Sequence, residues 1–268
     1  MRARLHHGLS VDKPTPVALR TAARSGLSFR EIGAGPVLVF VHGLGVSSRY
    51  FIPLMRELAS SFHCIAPDLP GHGASPGAAN GLDVGGEADA LASFLDGLDL
   101  ANVTLVANSL GCQVIANLAE RDPGRTAPMV FIGPSLDPAT RHHFWRSLLR
   151  ASVREPLSLL PILIADYLHF GLRRLLGTVR HALKDDIALR LPHLRFPVLV
   201  VQGARDCIVT VPWAMEVARR LPQGQLALVP DGAHAVHYSR PVAVAALIRA
   251  FFGRSNSVEL MDSKRRAD

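Results

Sequence analysis

Pro36-Val-Leu-Val-Phe-Val is an uninterrupted apolar run rich in β-branched residues, and it is the first of several such runs separated by stretches with helical spacing. A strand that is apolar on both faces must be covered on both faces, which is the situation of a parallel sheet wrapped by helices. After this run the alternation continues: helix Arg49–Ser60, strand His63–Ala66, helix Asp83–Leu98, strand Val103–Val106, helix Ser109–Arg121 and strand Met129–Ile132. The rhythm resumes with strand Val198–Val201, helix Pro212–Arg220, strand Gln225–Val229 and helix Val242–Phe252. Repeated βα units of this kind specify an α/β fold, a doubly wound and mostly parallel sheet. Ahead of them, Val17–Ala23 and Leu27–Ile32 flank Arg24-Ser25-Gly26 as a hairpin.

About sixty residues interrupt the pattern. From Ser135 to Arg195 the strand signals fade, and the segment reads as a helical insertion, a cap, between a first core part (1–134) and a second (196–254). Its middle, Leu157-Ser-Leu-Leu-Pro-Ile-Leu-Ile-Ala-Asp-Tyr-Leu, is strongly apolar, which suits packing over an apolar pocket first and membrane contact second. The segment also carries ten Arg or Lys against five acidic residues. An anionic group on a substrate, or peripheral contact with an anionic membrane, would meet those side chains. No aromatic and basic residues interleave and no helix-turn-helix pattern appears, so nucleic acid is not expected as a partner despite a formal charge of +7. The final residues, 255–268, are polar and basic and are expected to be a disordered tail.

With 49% hydrophobic and 19% charged residues the 268-residue chain can bury a large core. No apolar run reaches the roughly 18 residues of a spanning helix, and the basic start lacks a following apolar stretch, so a cytoplasmic location is expected. Cys64, Cys112 and Cys207 are widely spaced and odd in number, suggesting neither a disulfide framework nor a metal site, and no cofactor is expected. Oligomeric state is not encoded in any pattern here.

The chemistry concentrates where strands end. Ala107-Asn108-Ser109-Leu110-Gly111 joins a strand directly to a helix, the sharp turn that lifts a serine hydroxyl clear of its neighbours. The backbone N–H of Leu110, at the start of the helix, then points to where an oxyanion would form. The alternative for Ser109 is an ordinary helix N-cap. A serine hydroxyl needs a base, and the base needs an acceptor on its far nitrogen. Strand Val198–Val201 leads to Asp206, and the next strand leads to His234, so carboxylate and imidazole both follow the carboxyl ends of strands. Asp137 is the reserve acid. His237 is close to His234 and suits local structure or pocket lining, while Asn108 is a possible pocket residue.

The order Ser109, Asp206, His234, with the elbow just described, resembles the α/β-hydrolase superfamily from about Leu27 to Phe252. His42-Gly43-Leu44-Gly45 resembles that family's oxyanion loop, and Asp68-Leu-Pro-Gly-His-Gly-Ala-Ser75 its D-x-x-G-x-G-x-S turn. His234 with Pro241 resembles its terminal motif, with Ala233 and Ser239 in place of Gly and Glu, and the elbow has Ala107 where the pattern has Gly. The resemblance implies that Ser109 attacks a carbonyl, that His234 acts as base and then acid, and that Asp206 orients it. The N–H groups of Leu44 and Leu110 would hold the oxyanion, and the insertion matches the family's variable cap. His42 is expected to be structural, and Asp68 and His72 to shape a turn. A small-molecule carboxylic ester is the leading substrate class. Asn108 before the serine resembles hydrolases that cleave carbon–carbon bonds in ring-fission products, and a weakly catalytic ligand receptor on the same fold is a third reading.

Overall fold

The computed structural model describes residues 16–77, 80–134, 137 and 141–265. Eight strands form one sheet: β1 (Ala18–Thr21), β2 (Ser28–Ile32), β3 (Val37–Val41), β4 (His63–Pro67), β5 (Val103–Asn108), β6 (Thr126–Ile132), β7 (Val198–Gly203) and β8 (Gly224–Val229). Their order across the sheet is β1-β2-β4-β3-β5-β6-β7-β8. The β1–β2 and β2–β4 pairs are antiparallel, and every other pair is parallel. The expected hairpin and the doubly wound α/β sheet are both present.

Strand periodicity sorts side chains to two cores. Val39, Val41, Leu105, Ala107, Phe131 and Val200 pack on one side with α2 (Val84–Gly97), α3 (Leu110–Arg121) and α8 (Val211–Arg220). Their alternates Leu38, Phe40, Val106, Ile132 and Val201 pack on the other with α1 (Ile52–Leu58) and α10 (Pro241–Arg265). Two apolar layers explain why these strands read as continuous apolar runs. Asp83 caps α2 by accepting from the Gly86 N–H at 2.8 Å, and Thr210 caps α8.

Between β6 and β7 the chain is helical: α4 (Phe144–Arg154), α5 (Leu160–Phe170), α6 (Leu172–Lys184) and the short α7 (Ile187–Arg190). Gly171, at φ +80°, separates α5 from α6. A last short helix, α9 (Val236–Ser239), precedes α10. α10 takes in the polar, basic stretch from residue 255 through Arg265. The stretch Ser255–Arg265 contains Val, Glu, Leu, Met, Lys and Arg with no Gly or Pro, so nothing in it breaks a helix already nucleated upstream. Among the described residues no helix is long and apolar enough to cross a membrane.

Candidate active site

Ser109 stands between β5 and α3 with φ +56° and ψ −121°, a conformation that costs an L residue about 1–3 kcal/mol and persists only where neighbours enforce it. They do so here. The Ser109 N–H donates to the Ile132 carbonyl at 3.0 Å, and its own carbonyl accepts from Cys112 N–H at 3.0 Å. Gly111 is needed for close approach: a Cβ there would sit 2.4 Å from the Val41 carbonyl oxygen and 2.7 Å from that of His42. Ala107, by contrast, is an interior strand residue opposite Val41 and Phe131, where a methyl group joins the core. That is why the glycine of the usual pattern is dispensable at this position.

Asn108 ties the elbow to its surroundings. Its Nδ2 donates to the Ile132 carbonyl at 2.9 Å and to that of His234 at 3.4 Å, and its Oδ1 accepts from the Tyr50 hydroxyl at 3.0 Å. Tyr50 in turn accepts from the Gly43 N–H at 2.8 Å, so one buried chain of hydrogen bonds links the elbow to the His42–Gly45 loop. His42 is structural there. Its Nε2 accepts from the Leu69 N–H at 2.9 Å, so its Nδ1 carries the proton and donates to the Gly43 carbonyl at 2.9 Å. Burial holds its pKa below the usual histidine value.

The turn beginning at Asp68 is a knot rather than a site. Asp68 is fully buried and accepts from the backbone N–H of Ser48 at 2.7 Å and of Ala74 at 2.9 Å, and Ser75 Oγ donates to its carbonyl at 2.6 Å. Gly73, at φ +52°, has no room for a side chain against the Asp68 carboxylate.

Asp206 and His234 meet beyond β7 and β8. His234 Nδ1 lies 2.8 Å from Asp206 Oδ2, and since a carboxylate can only accept, Nδ1 carries the proton and Nε2 is left as the basic nitrogen. Asp206 also accepts from the N–H groups of Ile208 (2.7 Å) and Val209 (3.0 Å) and from Gln202 Nε2 (3.3 Å). The side chains of His234 and Asp206 are only 13% and 1% exposed. Burial pushes the His234 pKa down, but the charge and hydrogen bond of Asp206, with the charge of Glu155, outweigh it and leave the value above that of an ordinary histidine. The reserve acid Asp137 is engaged elsewhere, accepting from the Thr210 hydroxyl at 2.5 Å.

Ser109 and His234 share the wall of one cavity of about 90 Å³, together with Leu44, Leu110 and Asn108. The rest of the wall is mostly apolar and comes largely from the insertion: Ala151 and Glu155 at α4, Leu159, Leu163 and Tyr167 at α5, and Val179, Ala182 and Leu183 of α6. Among the described residues no Arg or Lys lines it. His237 does not line it either. That ring is fully buried against Tyr50 and Phe51, with centroids 4.4 and 4.6 Å away, because it lies within α9 and turns into the core beneath the His234 loop.

Three structural roles are absent from the sequence reading. Gly133, at φ +53°, lies under the Asp206–His234 bond: a Cβ would be 3.3 Å from both Asp206 Oδ2 and His234 Nδ1. Gly45, at φ +69°, makes room for the Tyr167 ring. Glu155 is the C-cap of α4, extended as a residue before proline must be, and its Oε1 accepts from the Ala235 N–H at 2.8 Å while Oε2 is buried without a partner. Burial raises its pKa. An acid at a helix C-terminus opposes the helix dipole, and that mismatch is the one sequence signal that singles Glu155 out.

A model of the alpha/beta hydrolase family matches residues 38–247. The chain belongs to the alpha/beta hydrolase family. Relatives within this family include the 2-(acetamidomethylene)succinate hydrolase of Mesorhizobium japonicum, 27% identical over 255 residues that cover 85% of this chain and 92% of that one. The pimeloyl-[acyl-carrier protein] methyl ester esterase of Aromatoleum aromaticum is 30% identical over 247 residues, 80% of this chain and 96% of its own. Among solved structures, a thermophilic esterase from Thermogutta terrifontis superimposes with a TM-score of 0.71 at 24% identity, covering 88% of this chain and 97% of that one. The matched family model runs from the first parallel strand, β3, to the first turns of α10.

Proposed function

We propose that the chain is a serine hydrolase of small, uncharged carboxylic esters working through an acyl-enzyme. Ser109 is the nucleophile, His234 the base and then the acid, and Asp206 the group that orients the imidazole. Backbone N–H groups of Leu44 and Leu110 hold the oxyanion, and the insertion serves as the cap that closes over the acyl group. One observation carries the reading: Asp206 fixes the His234 tautomer at 2.8 Å while His234 and the strained Ser109 face one cavity.

The cavity supports the substrate class. Its volume is about 90 Å³ and its wall is mostly apolar. A short acyl group fits such a space. Burying a dicarboxylate there would require cationic partners, and the described residues of the wall supply none while presenting Glu155. The same balance disfavours anionic ring-fission acids, and the residue that suggested carbon–carbon cleavage, Asn108, is 2% exposed with its amide engaged by backbone and Tyr50.

The test is turnover of p-nitrophenyl esters of increasing acyl length by wild type and Ser109→Ala, with an activated phosphonate as covalent probe. The expected result is highest kcat/KM for the short esters, loss of turnover in the variant, and one phosphonate per chain at Ser109. Binding of esters without serine-dependent turnover or labelling would overturn the reading in favour of a ligand receptor, and preferential cleavage of a dienoic ring-fission acid would overturn the ester assignment.

A further inference from the structure

The two helices that wall the cavity turn other sides outward, and those sides are unusual. On α5 and the residues leading into it, Leu157, Leu160, Ile164 and Leu168 are 85%, 39%, 52% and 78% exposed, at the three- and four-residue spacing of one helical stripe. The same stripe carries no charged side chain, because the helix's one carboxylate, Asp166, is buried against Ser47 and Arg49. α5 packs beside α6, whose exposed arc begins with Leu172 and Leu176, 69% and 50% exposed, and carries Arg173, Arg180 and Lys184, all exposed. Six large aliphatic side chains exposed on two adjoining helices are more than scattered surface residues, and a concentration of this kind marks a surface that is covered in use.

We propose that this outer face of α5 and α6 docks on a bilayer carrying anionic phospholipid headgroups. The leucines enter the boundary between headgroups and acyl chains, and Arg173, Arg180 and Lys184 meet the phosphates. Charge decides between this occupant and a second copy of the chain. A two-fold pairing through the same face would bring the basic residues of α6 toward their own counterparts, in a protein whose formal charge is already +7. An anionic membrane is complementary to both halves of the pattern. Docking also has a consequence for the site, since Leu159, Leu163 and Tyr167 on the inner side of α5 line the cavity. The bilayer surface, where apolar esters accumulate, then lies one helix away from Ser109.

Co-sedimentation of the full chain with vesicles tests this without reference to activity. Vesicles of phosphatidylcholine mixed with phosphatidylglycerol are expected to bind wild type and Ser109→Ala alike, and vesicles of phosphatidylcholine alone far less. The Arg173→Ala/Arg180→Ala variant is expected to bind the mixed vesicles about thirtyfold more weakly, at roughly one decade of affinity or less per basic residue. Leu160→Ser/Ile164→Ser/Leu168→Ser is expected to lose at least about a hundredfold. Both variants should keep wild-type kcat/KM on a soluble short ester and unchanged circular dichroism, because none of the substituted side chains lines the cavity and all are exposed at the surface. Absence of binding to the mixed vesicles at low ionic strength overturns the proposal, as does equal binding by the triple serine variant. Light scattering that shows a dimer, converted to monomer by the same three serines, assigns the face to a second copy instead and overturns it as well.

Discussion

The two sides of the cavity are built on opposite principles. On the sheet side every polar group that matters is held by several hydrogen bonds: Asp206 by four donors, Asn108 by three partners, and Ser109 by backbone bonds at both its N–H and its carbonyl. On the insertion side the wall is mostly apolar, and the one carboxylate among its described residues, Glu155, has one oxygen bonded and the other bare. The sheet side is a preorganised frame whose groups cannot re-aim, which is what charge development at a carbonyl requires. The insertion can change its lining with little effect on that frame, so substrate range should evolve there and chemistry should not.

The sharpest way to break this contrast is to damage the frame. Asp206→Asn keeps the size of the side chain but turns an obligatory acceptor toward His234 into a group that can donate, so the imidazole loses both its tautomer and its counter-charge. A loss of about 10⁴-fold in kcat is expected, with KM little changed. Removing the charge and the hydrogen bond that raise the His234 pKa also moves the acid limb of kcat/KM to lower pH. Retention of more than about a tenth of the activity would mean that Asp137 or another acid takes the role.

A smaller effect comes from two glycines that share a left-handed φ but not a neighbourhood. Gly133→Ala places a methyl group 3.3 Å from both Asp206 Oδ2 and His234 Nδ1, whereas at Gly171 nothing lies within 4 Å. Both substitutions strain the backbone, by about 1–3 kcal/mol of stability in chemical denaturation. Only Gly133→Ala is expected to lower kcat, by about tenfold or more, through displacement of the imidazole. Equal kcat for the two variants would show that the Asp206–His234 pair tolerates displacement.

Legibility in the sequence follows the same division. The strands are legible because two apolar layers impose continuous β-branched runs, and the pairing of Asp206 with His234 is legible because each follows the end of such a run. Gly133 also follows a strand, but its significance is spatial: it lies beneath two residues more than seventy positions away, and no local pattern carries that. Between the two alternatives for His237, local structure and pocket lining, the chain gives no choice, since proximity to His234 says nothing about which way one turn of α9 faces; the buried ring matches the first. Within the insertion, amphipathic spacing identified helices but could not say which apolar face meets the cavity and which meets solvent, because α5 is apolar on both.

The subtlest expected effect tests whether the insertion reaches into the chemistry at all. Among the described residues of the insertion, Glu155 is the one whose charge acts on His234, adding to the effect of Asp206 in holding its pKa above the ordinary histidine value of about 6.5. The base must be neutral to accept a proton, so kcat/KM falls as pH drops through that raised pKa. Glu155→Gln removes the negative charge while its side-chain oxygen can still accept from the Ala235 N–H, so the His234 loop stays in place. The acid limb of kcat/KM is then expected to move to lower pH, by less than Asp206→Asn moves it, with the plateau at high pH unchanged. A titration of kcat/KM on a short neutral ester reads the shift directly. An unmoved limb with a lowered plateau would mean that Glu155 acts by holding the loop alone, and the insertion would then contribute shape and no electrostatics to the site.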